Sequence, residues 1–194
     1  MRTIDETKKQ RVEQAVLELV QSNGIQGLTF GKIATQAGVS SGTPYIYFHD
    51  KEDMLSKIYV QVKEIMDAGL DEEISQGTTL QDQLFLGALH FARNMLAHPL
   101  ETVYLRAIRA NPQAVTPEAI KQGSARSSTM RNLYQKAIEA DILVTNREDY
   151  INALLFAPFM DFMATRHAAR QPVTLSELTT MINMSLAALI KHTD

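Results

Sequence analysis

The segment Leu28–Leu55, LTFGKIATQAGVSSGTPYIYFHDKEDML, decides the fold. Thr29 has the side chain of a helix N-cap, and Leu28 and Ile33 stand around it at the spacing of a hydrophobic staple. Ile33, Ala34 and Ala37 share one helical face, and Gly38 falls where a helix end needs a residue that tolerates positive φ. Val39 then reads as the apolar plug of a turn and Ser40 as the cap of a second short helix. In that helix Ile46 and Phe48 are expected to enter the core, leaving Ser41, Thr43, Tyr45 and Tyr47 outside. Asp50 can cap a third helix at once. Two short helices joined by a tight turn form an arrangement that carries the second helix into a DNA major groove.

Gly38 to Leu55 reads G-V-S-x-G-T-x-Y-x-Y-F-x-x-K-E-x-x-L, a pattern that resembles the DNA-binding end of the TetR family of bacterial transcriptional regulators. The resemblance covers the amino-terminal part of the chain; the rest is similar in helical layout and length. It implies an all-helical homodimer that represses promoters and leaves DNA when a small molecule enters the carboxy-terminal body. It also implies that Thr29, Tyr45 and Lys51, which match phosphate-holding positions, do so here. Pro44 departs from the commoner aliphatic residue. In a first helical turn it removes at most one hydrogen bond.

With 194 residues, of which 45% are hydrophobic and 21% charged, the chain can bury a core and is not disordered by composition. The absence of cysteine excludes a disulfide framework and a thiolate metal site. The polar start MRTIDETKKQRVEQ lacks the apolar run of a signal peptide, and no segment has the length of a membrane span. A cytoplasmic protein with no membrane partner is expected. Charge alone does not point to DNA. Between Met1 and Val60 the seven bases Arg2, Lys8, Lys9, Arg11, Lys32, Lys51 and Lys57 meet seven acids, Asp5, Glu6, Glu13, Glu18, Asp50, Glu52 and Asp53. A DNA-binding surface here requires the cations to converge on one side.

The remaining sequence reads as helices. Thr3 with Glu6 has capping-box spacing ahead of the stripe Ile4, Val12, Ala15, Val16, Leu19 and Val20. A helix from Lys51 to about Leu70 joins head to body as a lever, and Gly69 to Gly77 reads as a loop. Further helices are predicted from Thr79 to Ala97, from Glu101 to Ala110, and from Thr116-Pro117 to about Ala140. In the last of these the small residues between Gly123 and Thr129 permit close packing. Thr145 with Glu148 predicts a capping box before an apolar helix that Pro158 should kink, not end, and Thr174 with Glu177 another before the final helix. The last two helices look like half of a four-helix bundle.

The expected fold is all-α: an amino-terminal three-helix helix-turn-helix head, residues 1–50, and a helical ligand-binding and dimerisation body, residues 51–194. The expected DNA-binding set is Thr29, Lys32, Ser40, Ser41, Gly42, Thr43, Tyr45, Tyr47, His49 and Lys51. On the recognition helix Thr43, Tyr45 and Tyr47 cannot make the bidentate base contact available to Arg, Asn or Gln, so readout should lean on methyl and aromatic contacts and on DNA shape. An effector site is expected from His90, Arg93, Tyr104, Arg126, Met130, Tyr134, Phe159 and Met163, taking a small and largely apolar ligand. The expected dimer contacts are Leu154, Phe162, Arg166, Leu178, Met181, Ile182, Ser185 and Leu189. The partners so implied are double-stranded operator DNA, a second copy of the chain and a small-molecule effector, with no cofactor or metal. Catalysis is not expected. Tyr59 and Lys63 have the Y-x-x-x-K spacing of a dehydrogenase pair, but no glycine-rich nucleotide motif or strand pattern accompanies them. An alternative reading, a helical dimeric module that senses a small molecule or protein without specific DNA binding, draws on the electrically neutral head.

Overall fold

The structure is a computed structural model that describes residues 5–126 and 128–191, with the backbone alone at 125 and 126. Among the described residues eleven α-helices follow one another, and the only β pairing is an isolated bridge between Leu143 and Ile190. By packing, the chain forms two compact units, Met1–Ile65 with His98–Ala125, and Met66–Ala97 with Arg126–Asp194. This partition by contact cuts across the division expected at residue 50.

The first unit is built on α1, Glu6–Asn23. Its N-cap is Asp5, whose carboxylate accepts the Lys8 N–H at 3.2 Å; the expected cap, Thr3, lies outside the described residues, as do Arg2 and Ile4. Val12, Ala15, Val16, Leu19 and Val20 are buried as their spacing predicts. After a single 3-10 turn, α2 spans Phe30–Ala37, with the Thr29 hydroxyl accepting from the Lys32 N–H at 3.3 Å and Leu28 and Ile33 buried together. The helix stops at Gly38, which takes the left-handed conformation at φ 62° and donates its N–H to Thr35. Next come α3, Pro44–Tyr47, and α4, Lys51–Asp67. The start of α4 is a reciprocal cap: the Asp50 carboxylate accepts from the Asp53 N–H at 2.9 Å, and the Asp53 carboxylate accepts from the His49 N–H at 2.9 Å. In the same unit α7, Pro99–Ala110, lies against α1, and α8, Pro117–Arg126, begins at the Thr116 cap. Gly123 of α8 sits so near α4 that a Cβ there would lie 2.6 Å from Tyr59 Cε1 and 3.1 Å from Lys63 Cγ. The Tyr59–Lys63 spacing is therefore a packing face for α8.

The second unit contains α5, Leu70–Ile74; α6, Leu80–Ala97; α9, Ser128–Glu139; α10, Glu148–Ala168; and α11, Leu175–Leu189. The presence of α5 corrects the loop expected between Gly69 and Gly77: Leu70 and Ile74 are four apart and both buried, so one apolar pair holds a single helical turn. The helix expected from 117 to about 140 is represented by α8 and α9, which lie on either side of residue 127, itself outside the described residues. Thr79 caps α6 reciprocally with Asp82, at 3.0 and 3.1 Å. No capping box opens α10. The Thr145 hydroxyl accepts from the Arg147 N–H at 3.3 Å, two residues on, and Glu148 accepts from Gln135 on α9. The helix continues through Pro158, and Ile151, Leu155 and Phe159 on one face are fully buried. Thr174 and Glu177 do form the predicted capping box of α11. Main-chain bonds from Val144 to Leu189 and from Lys191 to Ile142 tie the end of α11 to the segment after α9.

Candidate nucleic-acid interface

The face built by α2, the turn and α3 follows a helical period, and this corrects the expected orientation of Thr43 and Ile46. Pro44 and Phe48 are four apart and both buried, and Thr43 beside them is only 6% exposed. Ile46, out of phase with that pair, is 51% exposed; Tyr45 is 64% exposed. The expected alternation of inward and outward side chains has the period of a strand and does not suit a helix. Ser40 is not the N-cap of α3. Its hydroxyl pairs with that of Thr43 at 2.7 Å, while the Thr43 N–H donates to the Ser40 carbonyl and Pro44 takes the first helical position.

Thr29, Lys32, Ser40, Ser41, Gly42, Tyr45 and His49 are exposed, and Tyr47 and Lys51 are half-buried. Tyr45 rests its ring edge-on against Phe30, with centroids 4.5 Å apart. The Tyr47 hydroxyl donates to the Asp5 carbonyl at 3.0 Å, which ties the exit of α3 to the start of α1. His49 Nδ1 lies 2.9 Å from Asp50. The Asp53 N–H, with the His49 ring after it, holds the Asp50 carboxyl below the usual carboxylate range.

Most cations of the head are held locally. Lys8 pairs with Asp5 at 3.0 Å, Lys9 with Glu13 at 3.6 Å and Lys57 with Asp53 at 2.8 Å, and Lys32 donates to the Gly27 carbonyl at 3.1 Å. Arg11 donates to the carbonyls of Ala37 and Gly38 at 2.5 and 2.9 Å, so it closes the open end of α2. No periodicity in α1 announces that role for Arg11, because its partner lies across the turn. Lys51 makes no hydrogen bond or ion pair among the described residues, at the point where the reader meets α4.

The effector candidates divide between the units. Tyr104 belongs to the first; it is fully buried and its hydroxyl donates to the Leu55 carbonyl at 2.6 Å. Burial pushes its phenol far above its ordinary range. The others lie in the second unit. His90 is buried with Nδ1 2.9 Å from Glu73, which also accepts from Arg93 at 2.8 Å. Its Nε2 is 3.2 Å from the Met66 carbonyl, and Asn94 Nδ2 stands 2.9 Å from that Nε2 and donates to the same carbonyl at 3.0 Å. This polar cluster grips the last turn of α4. Met130 is buried against Gly87, where a Cβ would meet its Sδ at 2.5 Å. Phe159 is fully buried and joins Phe156 and Phe91 in an edge-on series with centroids 5.8 and 5.5 Å apart. Tyr134 is buried, which raises its phenol pKa, and Met163 is half-buried. The side chain of Arg126 lies outside the described residues.

The expected dimer contacts need correction. Leu178, Ile182, Ser185 and Leu189 are buried within the chain itself, because α11 turns that stripe inward and packs on α6 and α10. Phe162, Arg166 and Met181 are half-buried, and Arg166 lies over the Phe162 ring at 4.9 Å and pairs with Glu177 at 3.1 Å. Leu154 is exposed, as are Tyr150 on α10 and Met184 on α11.

An amino-terminal helix-turn-helix on an all-helical body defines a class of DNA-binding regulators. The family profile described as bacterial regulatory proteins, tetR family, matches residues 14–58 of the chain. It is 33% identical over 79 residues to the fatty acid metabolism regulator protein of Bacillus subtilis, a match that covers 41% of each chain. A second regulator of Bacillus subtilis, YxbF, is 32% identical over 75 residues, 39% of this chain and 20% of that one. The matches thus span about two fifths and one fifth of these curated relatives. In fold the whole chain is similar to a TetR family transcription regulator from Marinobacter aquaeolei VT8, with a TM-score of 0.85 and 22% identity over 99% of this chain and 100% of that one. It is similar also to the regulator FadR from Bacillus subtilis in complex with stearoyl-CoA, with a TM-score of 0.71 and 18% identity over 93% and 98% of the two chains. Among the described residues no helix is long and apolar enough to cross a membrane.

Proposed function

We propose that this protein is a cytoplasmic, homodimeric transcriptional repressor that binds operator DNA through residues 1–50 and is released by a small, largely apolar ligand bound in residues 51–194. The observation that carries the reading is the exposed face of Ser41, Gly42, Tyr45 and Ile46, flanked by the Thr29 cap and by Lys51, within a segment that matches the TetR profile. Thr29, Tyr45 and Lys51 serve as phosphate contacts that set the register, and the outward face of α3 meets base edges. A twofold dimer presents two such faces to successive major grooves, about 34–36 Å apart.

Release requires that the ligand bind more tightly to a form with another spacing, a coupling of about 1–3 kcal/mol. The helix α4 is suited to transmit that change, because it carries Lys51 in its first turn and its Met66 carbonyl is held by Asn94. The apolar interior of the second unit, with Met130, Phe159 and the Phe156–Phe91 series, favours a hydrocarbon-bearing effector. Fatty acyl-CoA is the first class to try, since one similar protein is a fatty acid metabolism regulator and another was crystallised with stearoyl-CoA. The test is binding of the full-length protein to a duplex from its own upstream region against a scrambled duplex, over a salt series, with and without stearoyl-CoA. Equal affinity for the two duplexes would sink the repressor reading; tighter binding to the upstream duplex, weakened by acyl-CoA, supports all of it.

A further inference from the structure

The outward face of the reader is short of free polar groups. Ser40 and Thr43 pair their hydroxyls, Tyr47 donates to Asp5, and His49 sits on Asp50. No Arg, Asn or Gln lies between Ser40 and Asp50. Ile46 is the odd member: a branched aliphatic side chain that stays 51% exposed on this face. Leaving such a side chain in water forgoes stabilisation that one position of phase shift would have recovered. The space around it is suited to close approach. Gly42 lies one turn earlier with open surroundings, and Tyr45, fixed edge-on against Phe30, walls one side.

In a major groove the one apolar mark on a base edge is the C5-methyl of thymine. We propose that Ile46 packs on a thymine methyl in each half-site and is thereby a specificity-determining residue. This rests on the DNA-binding reading above and narrows it: each half-site carries an obligatory T·A pair that is read by its methyl and not by a hydrogen bond. Cytosine fails there, and 5-methylcytosine, which places a methyl at the same point of the groove, succeeds in part.

The experiment selects duplexes from a randomised pool with the full-length protein, then resynthesises the enriched duplex with deoxyuridine for thymidine one position at a time. Deoxyuridine keeps the pairing and removes only the methyl. At one position per half-site it should weaken the wild type about fourfold, the worth of one buried methyl group. Ile46→Ala should bind the thymidine and deoxyuridine duplexes equally, and Ile46→Val should keep most of the discrimination. Because Ile46 is exposed, both variants should keep the thermal midpoint of the wild type. An enriched duplex whose binding no deoxyuridine alters, or an Ile46→Ala variant as sensitive as the wild type, overturns the assignment and leaves the DNA-binding reading standing. A pool that enriches no sequence overturns both.

Discussion

Tyr104 donates its buried hydroxyl to the main-chain carbonyl of Leu55 at 2.6 Å, and so fixes α7 to α4 one turn after the start of α4. The bond joins two residues 49 apart in the chain. Tyr104→Phe should therefore lower stability by about 1 kcal/mol, the net worth of one hydrogen bond, and Tyr104→Ala by about 3–5 kcal/mol, because it adds a cavity. Urea midpoints at constant slope measure both; equal losses for the two variants would show that the hydroxyl, and not the ring, does the holding.

At Gly38 a second pair can be separated by a cycle. An alanine Cβ there would sit 2.6 Å from Arg11 Nη2, and the left-handed backbone disfavours any side chain by about 1–2 kcal/mol. Gly38→Ala should cost at least that much in the wild type. In an Arg11→Ala background the steric part vanishes and the loss should fall to the backbone part alone. Denaturant titration of the four proteins gives the coupling, and strict additivity would argue that Arg11 moves aside freely.

Lys51 offers a purely electrostatic test. It has no hydrogen bond or ion pair among the described residues, so Lys51→Ala should leave the thermal midpoint nearly unchanged. Binding to all duplexes should weaken alike, and the dependence of log K on log salt should become shallower by roughly one for each protomer. A change in sequence preference would instead place Lys51 on a base.

The proposed dimer can be tested by comparing the exposed and the buried faces of α10 and α11. In the proposed dimer, Met184→Glu, at a position 69% exposed, and Leu154→Glu should yield folded monomers in sedimentation equilibrium. Ile182→Glu, at a fully buried position, should unfold the protein because it buries an unpaired charge. Dimers that survive both surface changes would move the interface elsewhere.

Three helix caps make stability fall in acid. The carboxyl of Asp50 is lowered chiefly by the Asp53 N–H, that of Asp82 by the Thr79 hydroxyl, and that of Glu177 by the Thr174 N–H. A carboxyl whose pKa is lower folded than unfolded stabilises the protein above its unfolded value, near 4, and loses that contribution as pH falls through the folded value. Denaturant midpoints should hold steady from pH 7 to about 5 and then drop. Asp50→Asn, which keeps the cap and removes the titration, should flatten part of that drop.

Local chemistry carried most of the secondary structure. Thr29, Gly38, Asp50, Thr79 and Thr174 each act within three or four residues of themselves, so their caps and stops were readable in sequence order. The same holds for the helix-turn-helix segment as a whole, since its turn glycine, exit aromatics and following cap are contiguous. Short elements were harder. With four residues in α3, periods of 2 and 3.6 predict nearly the same list, and only the burial of Thr43 and Pro44 shows that Ile46 faces out.

What tertiary structure alone decided concerns choices between faces and partners distant in sequence. A helix that is apolar on two sides, such as α11, does not say which side its own chain covers; packing on α6 and α10 buries the stripe Leu178, Ile182, Ser185 and Leu189 and leaves Met184 in solvent. Likewise the Tyr59 ring, the Arg11 guanidinium and the Tyr104 hydroxyl find partners 64, 26 and 49 residues away, at Gly123, Ala37 and Leu55. Caps and periodicity are short-range free energies written into neighbouring residues. The orientation of amphipathic helices is settled by the total apolar area that the assembled helices can bury together, a quantity that no segment of the chain contains by itself.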